Sequence, residues 1–130
     1  MKEPRWIDRR ALLFLHSASL AAFGGATGIR DEGLLDSALA RPQNRFLHEP
    51  PSDIATLAAS YGFGLSQNHP FVDGDKRAAF YAVGLFLSMN GFELIASQVD
   101  AIGAMLNLAA GQLAESEFAD WVRVHSKRTA

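Results

Sequence analysis

The sequence predicts an all-α fold, a compact single-domain bundle of about six helices spanning residues 1–130. Three observations lead there. Apolar residues recur at helical spacing in six segments, each bounded by a capping residue, a glycine or a proline. No stretch alternates apolar and polar residues for long enough to build a sheet. A length of 130 residues fits one domain that buries roughly two-thirds of the surface an unfolded chain exposes.

Residues 7 to 23 carry Ile7, Leu12, Leu13, Leu15, Ser19, Ala22 and Phe23 at helical spacings, with Asp8 as cap and Gly24-Gly25 as the end. After the loop GGATGIRD, Asp31 caps a second helix over Glu32 to Leu39, which Pro42 is expected to stop. Ser52 is expected to cap the third, where Ile54, Leu57, Ala58, Tyr61 and Leu65 form the stripe and Gln67, Asn68 and His69 the end. Asp75 is expected to cap the fourth. Its Ala79, Phe80, Val83, Phe86 and Leu87 give a broad apolar arc, Gly84 admits a neighbouring backbone, and the helix is expected to be central. Asn90-Gly91 ends it, and Phe92 to Ile95 is a short extended connector. Ser97 caps helix five, with Val99, Ile102, Met105, Leu106 and Ala109 expected inward and Gly111 closing it. Phe118, Trp121, Val122 and His125 make a sixth helix that runs into a basic tail of Lys127 and Arg128.

Composition removes several function classes. A net charge of −2 argues against a dedicated nucleic-acid binder, so any phosphate recognition is local. The absence of cysteine leaves no disulfide framework, thiol nucleophile or Cys-ligated zinc, and a cytoplasmic location is expected. Apolar runs are interrupted well short of ~18 residues, so no membrane span is expected, and the charged MKEPRWIDRR opens no secretory stretch.

The chemistry concentrates in His69-Pro70-Phe71-Val72-Asp73-Gly74-Asp75-Lys76-Arg77, just before the fourth helix. Pro70 disfavours a helical conformation at His69, and Gly74 tolerates positive φ or the close approach of a ligand. Unpaired N–H groups of the next helix's first turn, with Lys76 and Arg77 beside them, offer a seat for an anion. His69 faces that seat from the end of the preceding helix. Plain structural readings stand beside these: His69 as a helix-end histidine, Asp75 as a simple cap, Lys76 and Arg77 as solvated residues. Cations in a first turn oppose the helix dipole, which favours the bound anion. His16, His48 and His125 lack a second histidine at i+3 or i+4 and read as surface, loop or packed residues. Phe80, Phe86, Phe118 and Trp121 read as core.

HPFVDGDKR resembles the Fic motif, whose pattern is His, Pro, Phe, any residue, Asp or Glu, Gly, Asn, Gly or Lys, Arg. Lysine at the eighth place is similar to the death-on-curing toxins, short all-helical Fic-fold proteins of toxin–antitoxin pairs. The likeness extends through Leu15-His16, GGATGIRDEGLLDSALARPQ, LFLSMNGFEL and AAGQLAESEFADWV, nearly the whole chain.

The resemblance implies roles. His69 would take the proton from a hydroxyl on a target protein. Asp73 would hold Mg²⁺ against nucleotide phosphates, Gly74 would let backbone N–H groups close on a phosphate, and Arg77 would bind it. Lys76, with Asp75 the remaining members of the phosphate site, fills the space that glycine leaves in adenylyl-transferring relatives. The nucleotide, ATP or another triphosphate, would then present its γ-phosphate. Phe80 agrees, standing where many adenylyl transferases carry a second arginine. The implied activity is phosphorylation of a Ser or Thr on a translation protein, with elongation factor Tu as the kind of target. An antitoxin would bind in trans through a disordered segment, and no direct nucleic-acid or membrane contact is expected. Asp75 stands where the family has asparagine, a neutral amide that can donate to a phosphate oxygen. Two alternatives therefore stay open: AMP transfer, or a catalytically weakened binding module.

Overall fold

The computed structural model describes residues 2–129. In chain order these form α1 (Arg9–Phe23), α2 (Glu32–His48), α3 (Ile54–Asn68), α4 (Asp75–Met89), β1 (Phe92–Leu94), α5 (Gln98–Ala109), α6 (Glu115–Val124) and β2 (Ser126–Arg128). Six helices build the domain, as the periodicity predicts.

The helix at the centre is α3 rather than the expected α4. Ten of its fifteen residues are buried, among them Ala55, Ala58, Ala59, Ser60, Gly62, Gly64 and Ser66, so it is covered on all sides by α2, α4, α5 and α6. Small side chains make this possible. A Cβ at Gly62 would lie 2.8 Å from both Phe118 of α6 and Val83 of α4, whereas one at Gly84 would meet nothing within 4 Å. The close approach expected at Gly84 therefore occurs at Gly62.

Several boundaries differ from expectation. Pro42 does not stop α2, which continues to His48 with Pro42 buried inside it. A proline inside a helix costs about 3 kcal/mol, so its second half must be held by other contacts. Arg41 and Arg45 grip the two oxygens of Glu115 at the start of α6, the Arg45 bond being 2.7 Å, and Phe46 packs edge-on against Trp6. Ser52 does not cap α3. Its hydroxyl donates to the Glu49 carbonyl, and Asp53 caps instead, accepting from the Thr56 N–H. Likewise Asp75 does not cap α4, because Gly74 occupies the cap position and Asp75 is already helical.

The connector at 92–95 and the basic tail are not free. Phe92, Glu93 and Leu94 pair antiparallel with Arg128, Lys127 and Ser126, a three-residue ladder too short to show as alternation. Along α5, Val99, Ile102 and Leu106 are 79%, 53% and 52% exposed, and Ala109 is half-buried. The inward face is Ala101, Ala104, Met105 and Leu108. Spacing alone allows either stripe, and the small alanines let α5 lie close to the core. Among the described residues no helix is long and apolar enough to cross a membrane.

One surface contact carries a testable pH dependence. Arg123 of α6 donates to both oxygens of Asp53, which holds that carboxyl well below its usual range. A carboxyl depressed in the fold stabilises it above the unfolded pKa near ~4, and that contribution is lost as pH falls below it. Arg123→Gln is expected to flatten this part of the acid unfolding curve, followed by urea midpoints between about pH 5 and pH 2. Equal pH slopes in both proteins would rule the pair out as a cause.

Candidate active site

The nine-residue turn is held by elements distant in sequence. At the end of α3, His69 adopts a left-handed conformation (φ 48°, ψ 56°), the one non-glycine residue with positive φ among the described residues. Pro70 disfavours the right-handed helical conformation at His69, and the left-handed one adopted instead costs roughly 1–2 kcal/mol. Arg30 offsets it. Its Nε donates to the His69 carbonyl at 2.7 Å and its Nη2 to the Asn68 carbonyl at 2.8 Å, covering carbonyls that the helix end leaves open. The Pro70 carbonyl accepts from the N–H groups of Arg30 and Asp31, while the Val72 N–H donates to Gly28. A single antiparallel bridge, Ile29 to Phe71, thus fastens the turn to the loop after α1.

Phe71 is the anchor. It is 1% exposed, and its ring stacks on His16 with centroids 3.7 Å apart. His16, itself buried in α1, has Nε2 at 2.7 Å from the Asp73 carbonyl. A carbonyl only accepts, so Nε2 carries the hydrogen and donates.

Beyond this anchor the turn leaves several donors without partners. Gly74 is left-handed at φ 81°, where a Cβ would be strained and would lie 3.3 Å from Leu20 and 3.5 Å from Arg77 Nη2. The N–H groups of Asp75, Lys76 and Arg77, at the start of α4, have no partner among the described residues. Lys76 is exposed. Arg77 donates through Nη2 to the Gly24 carbonyl at 2.9 Å and lies over the Phe23 ring, but its Nε is buried with no partner. A buried donor left unpaired costs about 1–3 kcal/mol, and a phosphate oxygen would satisfy it.

The two acids differ in surroundings. Asp73 is exposed, its Oδ2 accepting from Ala26 N–H at 3.2 Å and its Oδ1 from Gly74 N–H at 3.0 Å, so each oxygen keeps a lone pair. Asp75 is turned inward. Its Oδ1 accepts from the Phe71 N–H at 2.9 Å and its Oδ2 lies 3.6 Å from His69 Nδ1. No group of three or more His, Cys, Asp or Glu among the described residues could hold a metal by itself. Asp73, with a lone pair left on each oxygen, nevertheless fits Mg²⁺, which takes one or two protein carboxylates and keeps several waters.

The six residues singled out in sequence lie together at the junction of α3 and α4: His69 closes α3, Asp73 and Gly74 lie in the turn, and Asp75, Lys76 and Arg77 are the first residues of α4. Residue type alone reads His16 as a surface, loop or packed residue and gives Arg30 no role, yet both position that turn. Their signal lay in the Leu15-His16 and GIRD phrases that accompany the motif. Next to Lys76 and Arg77 runs an apolar groove of about 530 Å³, lined by Phe23, Phe80, Tyr81, Ile102, Met105 and Leu106. Phe80, expected in the core, is half-buried on its wall.

The sequence pattern of the Fic/DOC family matches residues 6–87, which contain the whole turn together with His16 and Arg30. The chain belongs to the Fic/DOC family. Curated Fic/DOC relatives include "Protein kinase doc" of Escherichia phage P1, 30% identical over 119 residues that make up 92% of this chain and 94% of the relative. Another is "Toxin Doc" of Mycolicibacterium smegmatis, 38% identical over 107 residues covering 81% of this chain and 80% of the relative. Both alignments cover at least 80% of either chain, so the likeness extends far beyond the nine-residue motif.

Proposed function

We propose that this Fic/DOC protein is the toxin of a toxin–antitoxin pair and a protein kinase, transferring the γ-phosphate of ATP or a similar triphosphate to a Ser or Thr hydroxyl. The carrying observation is the single turn that sets His69 beside three unpaired N–H groups, Lys76 and the partly unpaired Arg77. Relatives that are a named kinase and a named toxin support the reading. The expected target is a translation protein of the elongation factor Tu kind, which places the action in the cytoplasm.

In this reading the hydroxyl oxygen attacks the γ-phosphorus as His69 takes the hydroxyl proton. A new O–P bond forms, the bond from the γ-phosphorus to the β–γ bridging oxygen breaks, and the nucleoside diphosphate leaves with that oxygen. Gly74 gives the phosphate close access to the N–H groups of Asp75, Lys76 and Arg77, while the two cationic side chains offset its charge. Asp73 would hold Mg²⁺, which supplies charge neutralisation between phosphate oxygens. Lys76 fills the place of the adenylyl transferases' glycine and directs the γ-phosphate inward. A disordered antitoxin segment would fold along the apolar groove, whose end at Lys76 and Arg77 adjoins the phosphate seat.

Mass spectrometry of a bacterial extract incubated with the protein, ATP and Mg²⁺ tests the reading. Phosphate on a Ser or Thr is expected. AMP on the modified residue would replace the kinase by an adenylyl transferase. No adduct from this protein, together with no thermal stabilisation by ATP and Mg²⁺, would leave a Fic-fold binding module.

A further inference from the structure

The groove between α4 and α5 joins two kinds of surface that one class of ligand would cover together. Lys76 and Arg77 stand at one end of it, and beyond them its walls are almost wholly apolar. We propose that this groove is the nucleoside subsite. With the triphosphate on the N–H groups of Asp75, Lys76 and Arg77, the base lies between α4 and α5. It is held by its faces and not by its edges, so that ATP and GTP are taken alike. The inference rests on the reading of the start of α4 as a triphosphate seat, and it adds where the rest of the nucleotide goes and which bases fit.

Helical spacing sets the order of groups along each wall. Phe80 and Tyr81 stand four positions after Lys76 and Arg77, so each aromatic lies one turn, about 5.4 Å, along α4 from a cation on the same face. On α5, Gln98, Ile102 and Leu106 recur at the same interval and form the opposite wall. Ile102 and Leu106 are more than half exposed, apolar surface that a ligand in the groove would take out of water. At the basic end the Arg77 guanidinium lies 5.4 Å from the Phe23 ring centroid and donates through Nη2 to the Gly24 carbonyl, while its Nε is buried without a partner. A γ-phosphate oxygen on that Nε would leave sugar and base to trail into the groove. The volume of about 530 Å³ falls within the range of about 300–1,000 Å³ usual for small-molecule sites.

A purine nucleotide carries the matching pattern, a flat ring with two apolar faces at one end and a chain of anions at the other. Aromatic side chains stack on any base, because every base has a π-face. An apolar peptide segment would cover the same walls but by itself brings no anion to Arg77. The base edges meet little. Apart from the two cations, the lining side chains offer only the Gln98 amide and the Tyr81 hydroxyl. An amide can turn its oxygen or its NH₂ toward a ligand, and a hydroxyl donates or accepts, so neither separates adenine from guanine. Strong discrimination needs buried polar groups that the wrong base leaves unpaired, and Gln98 is exposed. A pyrimidine, with the smaller ring, covers less of the walls. An antitoxin segment along the same groove would displace the nucleoside.

Isothermal titration calorimetry of the full chain with Mg²⁺ tests this without any protein substrate. ATP and GTP are expected to bind within about threefold of each other and about 10–100-fold more tightly than tripolyphosphate, the range that stacking of one base supplies, with UTP in between. Ile102→Ser, at an exposed position, is expected to weaken ATP about 3–10-fold and to leave tripolyphosphate unchanged. Tripolyphosphate binding as tightly as ATP would overturn the inference and leave the groove to the antitoxin segment, and that comparison needs no variant to fold. An ATP affinity unmoved in Ile102→Ser would overturn it equally. A preference for ATP over GTP of more than about tenfold would overturn recognition by faces alone. Should neither ATP nor tripolyphosphate bind, the triphosphate seat itself fails, and the groove inference with it.

Discussion

His69→Asn is expected to slow phosphate transfer by about 10²–10⁴-fold while leaving the fold intact, because a positioned general base contributes a factor of that size. Asparagine is the informative replacement. It tolerates the left-handed conformation found at this position (φ 48°), whereas alanine would add a backbone penalty of about 1 kcal/mol and mix stability with chemistry. The imidazole is more than half exposed, and Asp75 Oδ2 lies 3.6 Å from its Nδ1. Stability is therefore expected to change by no more than about 0.5 kcal/mol. Transfer rates with a radiolabelled γ-phosphate, beside a urea unfolding curve, separate the two quantities. A variant that folds and transfers at the original rate would mean that another group takes the proton.

Phe71→Ala is expected to cost about 3–5 kcal/mol, the range for removing a large aromatic from a packed interior. Against a typical total of about 5–15 kcal/mol for a domain, this is a large fraction. The ring is 1% exposed and stacked on His16, so the loss exposes a histidine whose Nε2 holds the Asp73 carbonyl. Loosening there reaches Asp73 and the bridge to Ile29 together, and nucleotide-induced stabilisation is expected to vanish with the stability. Phe80→Ala, at a half-buried position on the groove wall, is the comparison and should cost less. A loss at Phe71 below about 1 kcal/mol, read from urea midpoints, would show that the turn is anchored elsewhere.

What sequence reading recovered, and what it missed, divides by the range of the interactions. The caps at Asp8, Asp31 and Ser97 and the ends at Gly24 and Asn90 were legible, because each is a bond between residues a few positions apart. The motif was legible for the same reason: nine consecutive residues carry its charges, its glycine and its histidine. Pro42 misled because a strong local signal was outweighed by Arg41 and Arg45 reaching Glu115 some seventy positions away. Asp75 misled differently. A cap is a good local reading of an acid before a helix, but Gly74 had taken that place, and the Asp75 carboxylate turned back to Phe71.

Short-range spacing and residue type were enough for the helical class, most helix positions, the candidate turn and the family. Tertiary structure decided the rest. It made α3 the buried axis, because only its run of small residues lets neighbours approach closely on every side. It brought Arg30 and His16 to the turn, and it set Asp75 against His69 instead of against solvent. Such contacts depend on how the chain closes on itself, and their free energy comes from groups that are distant in sequence until the core has packed.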